Sequence, residues 1–73
     1  MSSLPVVGGT ECIKALQRAG FRVLRQKGSH IILCRQNPHA QVVVPDHAEL
    51  DRGTLRGILK HAGIDIDQFV ALL

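Results

Sequence analysis

Four histidines, His30, His39, His47 and His61, hold most of the acid–base chemistry this chain can offer. Imidazole is the side chain that takes or gives a proton most readily near neutral pH. His30 stands apart because of its neighbours. It follows Lys27-Gly28-Ser29, with Arg25 two residues before Lys27, so it opens a segment directly after a glycine turn and among cations. That setting suits a proton acceptor beside an anionic substrate, with Lys27, Ser29 and the backbone N–H groups of the turn placed to support developing negative charge. His47 follows Pro45-Asp46 and is the second candidate, as a proton donor. His39 comes after Pro38 in a loop and receives no role. His61 falls near a helix end, where a cation suits the helix dipole, and reads as structural.

Other chemistries find no pattern in the chain. No two histidines are spaced i, i+4, the two cysteines form no C-x-x-C, and no nucleophile elbow, Walker loop or dinucleotide fingerprint occurs. The expectation is no metal and no cofactor. Gly8-Gly9 and Gly53-x-x-x-Gly57 are too sparse for phosphate loops and read as cap and helix-packing glycines. Cys12 and Cys34 lie inside apolar patterns and read as small core residues in a reducing compartment.

The elements that must position these residues follow from periodicity. Gly8 reads as an N-cap with Glu11 at the third helical position, and Cys12, Ile13, Leu16 and Ala19 recur at helical spacing before Gly20, which predicts a helix over about 10–19. Residues 21–26 and 29–35 are two strand-like runs joined at Lys27-Gly28, a hairpin. Alternation puts His30, Ile32 and Cys34 on one face and Ile31, Leu33 and Arg35 on the other. Residues 41–44 form a third strand that Pro45 stops. Leu55, Ile58, Leu59 and Ala62 make the buried stripe of a helix over about 52–62, ended by Gly63. Asp65 with Gln68 is a capping box for a short last helix. Strands grouped between helices argue for an α+β fold of order α-β-β-β-α, with helices packed on one face of a three-stranded antiparallel sheet.

Seventy-three residues, 45% hydrophobic and 21% charged, allow one small domain over 1–73, its first eight residues expected to be flexible. No apolar run nears the ~18 residues of a membrane span, and the start lacks a basic n-region and a long h-region. The expected address is the cytoplasm, with no membrane partner.

Net charge is +3 but segregated: residues 14–35 carry six cations and no acid, whereas residues 46–73 carry five acids against Arg52, Arg56 and Lys60. Those last three step by four and so rotate only about 40° each, forming a basic ridge centred about 110° from the apolar stripe. Such a ridge fits a phosphate backbone. With Arg25 and Lys27 it makes the candidate set for binding a polyanion's phosphates. Phe21 and Phe69 both belong to core patterns, so binding by stacking on an aromatic platform is not expected.

Three motifs in order then resemble one family. Arg-Gln-Lys-Gly-Ser-His (25–30), Val-Val-Val-Pro-Asp-His (42–47) and Arg-Gly-Thr-Leu-Arg-Gly-Ile-Leu-Lys-His-Ala-Gly-Ile (52–64) are similar to the HicA, or YcfA-like, toxins, as is Ala-Leu-Gln-Arg-Ala-Gly-Phe (15–21). The resemblance runs from about Gly8 to Leu72. It implies a double-stranded-RNA-binding-domain-like fold and a small endoribonuclease that cleaves mRNA without the ribosome and is neutralised by a HicB-type antitoxin. It also implies that His30, after the glycine turn on the second strand, is catalytic, and that the antitoxin covers the His30 surface. The family's frequent His-Pro pair after that strand is replaced here by Asn37-Pro38-His39. Two alternatives stay open from the residues themselves: a non-catalytic double-stranded-RNA-binding module, which needs the ridge but not His30, and a structural subunit that occupies a partner.

Overall fold

Gly8 starts the first helix by an unusual route for a residue without a side chain. Its extended backbone lets its N–H donate to the Glu11 Oε1 at 3.0 Å, so the carboxylate at the third helical position satisfies the cap and faces the positive end of the helix dipole. The computed structural model describes residues 3–73. Its elements run α1 (Gly9–Arg18), β1 (Arg22–Lys27), β2 (His30–Arg35), β3 (Ala40–Pro45), α2 (Arg52–Ala62) and α3 (Ile66–Leu72). Gly20, at φ +99°, turns the chain out of α1, and Phe21 is buried just ahead of β1.

Gly8 and Gly9 are glycines for a second reason. A Cβ on Gly9 would collide with the Pro45 carbonyl oxygen, and one on Gly8 with the Ala48 carbonyl oxygen. The start of α1 therefore lies directly on the chain leaving β3, where Gly9 N–H donates to the His47 carbonyl at 2.9 Å. Leu50 N–H likewise donates to the Val7 carbonyl at 2.8 Å. Of the N-terminal segment expected to be flexible, residues 1 and 2 lie outside the described residues, while Leu4 and Val7 are buried in the core.

The sheet is an antiparallel meander with β2 in the centre. Lys27 pairs with His30, which leaves a two-residue turn at 28–29. Gly28 takes φ +60° at its first position, the primed arrangement whose twist matches that of the strands. The turn thus sits one residue later than its sequence suggested. Pro45 is the last residue of β3 rather than the residue after it, and pairs with His30. Proline is tolerated there because β3 is an edge strand.

The register separates the two faces of the sheet. Ile31 and Leu33 lie opposite Val44 and Val42, and this face enters the core with Leu16 of α1, Leu55 of α2 and Phe69 of α3. His30, Ile32 and Cys34 lie opposite Pro45, Val43 and Gln41 on the other face. The predicted alternation holds.

Asp51 caps α2 by accepting from the Thr54 N–H at 2.7 Å, and Gly63 ends the helix in the left-handed region at φ +71°. Asp65 and Gln68 exchange hydrogen bonds of 2.7 and 3.0 Å at the start of α3. Arg35, at the far end of β2, stacks 4.7 Å over the Phe21 ring and donates to the Ala62 carbonyl at 3.1 Å, tying sheet to helix. The result is an α+β fold of double-stranded-RNA-binding-domain type, with α3 appended. No helix among the described residues is long and apolar enough to cross a membrane.

Candidate functional site

His30 is exposed at the first position of β2, and the hairpin decides what stands beside it. Directly paired residues of antiparallel strands share a face, so Lys27 on β1 and Pro45 on β3 flank the imidazole on either side. Arg25 pairs with Ile32 and lies on the same face one pleat further along; Arg22, paired with Cys34, continues the row. This spacing needs the irregularity between Val23 and Arg25, which resets the register of β1 by one residue. The turn is held from outside as well: the Ser29 carbonyl accepts from the Asp46 N–H at 2.6 Å. His30 is thus framed by paired backbone on both sides.

On the β3 side, His30 lines a half-open groove of about 390 Å³ between β3 and α2. Val43 and Pro45 contribute apolar surface over the buried Val42 and Ile58, and Gln41, Thr54 and His61 contribute polar groups. His61 Nδ1–H donates to the Gly57 carbonyl at 2.8 Å, which leaves Nε2 as the ring nitrogen available to a ligand. Gly57 also borders the groove. A Cβ there would meet nothing within 4 Å, and one on Gly53 only the Asp51 Oδ1 at 3.9 Å. Neither glycine lets a neighbour pack closely, so the helix-packing reading of this pair is corrected: their missing side chains leave open space.

The other candidates are distributed around the molecule. His47 does not border this groove; it lies in the connector, where its charge acts on Asp51. The Asp51 carboxyl is held below its ordinary value by hydrogen bonds from the Thr54 side chain and backbone, with His47 a smaller contributor. His39 lies over Cys34, with Nδ1 at 4.0 Å from the Sγ and 3.4 Å from the Gln36 Nε2. Cys34 and Cys12 are both free and buried, and burial pushes the Cys12 thiol up to about 11. Among the described residues no three His, Cys, Asp or Glu side chains gather as a metal site would require.

Arg52, Arg56 and Lys60 form a ridge, but away from His30. At 100° per residue, the centre of that ridge is about 130° around α2 from the Thr54–Gly57–His61 side. Arg56 and Lys60 instead border a separate cleft with Asp65 and Asp67. The cations that share a face with His30 are those of β1. Thr54, Gly57 and His61 lie inside the 52–64 motif but receive no site role from it, and Gln41 belongs to no motif; the helical angle that places the first three on the side away from the ridge is the signal that finds them.

The sequence model of a family described as HicA toxin of bacterial toxin-antitoxin matches residues 9–64, from the first residue of α1 to just beyond α2. No curated protein matches the chain.

Proposed function

Because the chain belongs to the HicA family of bacterial toxin–antitoxin toxins, we propose that it is a ribosome-independent endoribonuclease acting on mRNA in the cytoplasm, with His30 as the general base. The observation that carries this reading is the setting of His30: an exposed imidazole at a strand start, directly opposite Lys27 and at the mouth of a groove. His30 takes the proton of a ribose 2′-OH. The 2′-oxygen attacks the adjacent phosphorus, the bond from phosphorus to the 5′-oxygen breaks, and that oxygen leaves with a proton. The products end in a 2′,3′-cyclic phosphate and a 5′-OH.

Lys27 and the N–H groups of the 27–29 turn are placed to offset charge building on the non-bridging oxygens. Ser29 and His47 are secondary candidates for support, His47 as the acid. Arg25 binds phosphate beside the reacting centre, while Arg52, Arg56 and Lys60 contact more distant backbone. General acid–base catalysis by one side chain contributes about 10²–10⁴-fold, so turnover is slow.

A HicB-type antitoxin neutralises the enzyme by covering His30 and the β1 cations. Val23 and Leu24 on β1 are 44% and 46% exposed amid Arg22, Arg25 and Lys27, a mixed apolar and basic edge suited to an acidic partner. A toxin–antitoxin complex that leaves His30 open to solvent would contradict this arrangement.

The chemistry is tested by incubating partner-free protein with RNA in excess EDTA and identifying the new termini. Cyclic-phosphate ends are the expected result. Free 3′-OH ends, or cleavage that EDTA abolishes, would refute the proposed route.

A further inference from the structure

We propose that the groove between β3 and α2 holds one unpaired nucleotide next to the scissile phosphate, so that the substrate is single-stranded at the cut although the fold is of a double-stranded-RNA-binding type. The proposal rests on the ribonuclease reading and specifies its substrate.

The groove reaches about 390 Å³, near the small end of the ~300–1,000 Å³ range of ligand clefts. That is room for a single base and its ribose. A duplex keeps its bases stacked inside and presents sugar and phosphate, whereas an unpaired nucleotide can place its base in a pocket and use its Watson–Crick edge. The lining fits the second case. Apolar surface from Val43 and Pro45 lies beside Gln41, whose amide both donates and accepts, and Thr54 and His61 add further polar groups. The imidazole of His61 is a face on which a base can stack, and its Nδ1 bond to the Gly57 carbonyl fixes the ring. Among the described residues no acidic side chain borders the groove, so a phosphate meets no like charge there.

Gly57 is the second observation. Glycine inside a helix costs about 1 kcal/mol relative to alanine. Here, among the described residues, no atom beyond its own helix backbone and chain neighbours lies within 4 Å of the place its Cβ would take. Gly57 itself borders the groove. Since His30 lines the groove too, a nucleotide seated in it brings its own phosphate to the base.

The test uses a short 2′-O-methyl oligoribonucleotide, which lacks the attacking hydroxyl, as a single strand and as a duplex, titrated into ¹⁵N-labelled protein. The single strand is expected to shift the amides of Gln41, Thr54, Gly57 and His61, and to bind more tightly than the duplex. Gly57→Leu, whose side chain would enter the groove, is expected to weaken single-strand binding by about tenfold or more without lowering the melting temperature. His61→Ala repeats the test by removing the stacking face, and is expected to weaken binding in the same sense. Shifts confined to β1, equal binding of the duplex in the groove, or full affinity in both variants would overturn the proposal. Unmodified RNA separates it from the parent reading. If the single strand occupies the groove but wild type leaves RNA intact, the ribonuclease reading falls and the groove stands. If wild type cuts and Gly57→Leu cuts equally well, the groove falls alone.

Discussion

The position of His30 depends on a residue that performs no chemistry. Gly28, at φ +60°, allows a two-residue turn, and that turn puts Lys27 directly across from the imidazole. A side chain at position 28 would meet no neighbour, so its cost would be backbone strain alone. Asp51 is the residue whose ionisation matters for stability. Its folded pKa lies below the ordinary value because Thr54 hydrogen-bonds the carboxylate. The cap therefore contributes fully above the unfolded value of about 4 and is lost as pH falls through the folded one. Melting temperatures of wild type and Asp51→Ala should differ at pH 7 and converge as the pH approaches 2; a constant gap would show that the carboxylate charge is not the source. Cys12, raised to about 11 by burial, should resist iodoacetamide at pH 8 in the folded protein and react once urea unfolds it.

At the scale of elements, four glycines on two helices separate into opposite cases. Gly8 and Gly9 face backbone carbonyls that a Cβ would strike, whereas Gly53 and Gly57 border space. Gly9→Ala should therefore destabilise by roughly 1–3 kcal/mol through a forced shift against Pro45. Gly57→Ala should stabilise by about 1 kcal/mol through helix propensity alone. Equilibrium urea unfolding of both variants checks the pair, and the same sign for both would contradict this account. All four glycines look alike in the sequence, because a glycine records the absence of a side chain but not what lies beyond it. The helices, strands and cap residues were legible because Leu55, Ile58, Leu59 and Ala62, or Asp65 with Gln68, obey local spacing rules. The groove was not, since it requires Gln41 of β3 and Thr54 and His61 of α2 to be brought together by tertiary packing. The place of His61 near the end of α2 suits the helix dipole by itself, so its local context carries no sign of the groove. The basic ridge shows the same limit: its stripe is correct in helical angle, but only the packed helix reveals that it turns away from His30.

For the whole molecule, one core must hold three helices and a sheet of 73 residues together. The Cα radius of gyration of 11.1 Å matches the roughly 11 Å expected for a packed chain of this length, so α3 folds against the body rather than projecting. Phe69 is its anchor, fully buried, and Arg18 donates from α1 to the Leu72 carbonyl at 2.6 Å. Phe69→Ala should remove about 3–5 kcal/mol, a large share of the total available to a domain this small. A partner that binds only the folded form should restore much of that loss by mass action, which melting with and without the antitoxin would show. An unchanged melting temperature for Phe69→Ala alone would mean that α3 contributes little. The central claim concerns His30, and one comparison reaches it most directly. Purified, partner-free wild type and His30→Ala are incubated with the same structured RNA at concentrations giving equal occupancy, and initial cleavage rates are compared. The account predicts cleavage by wild type and a loss of about 10²–10⁴-fold in the variant, with RNA affinity little changed. Equal rates for the two proteins would contradict it.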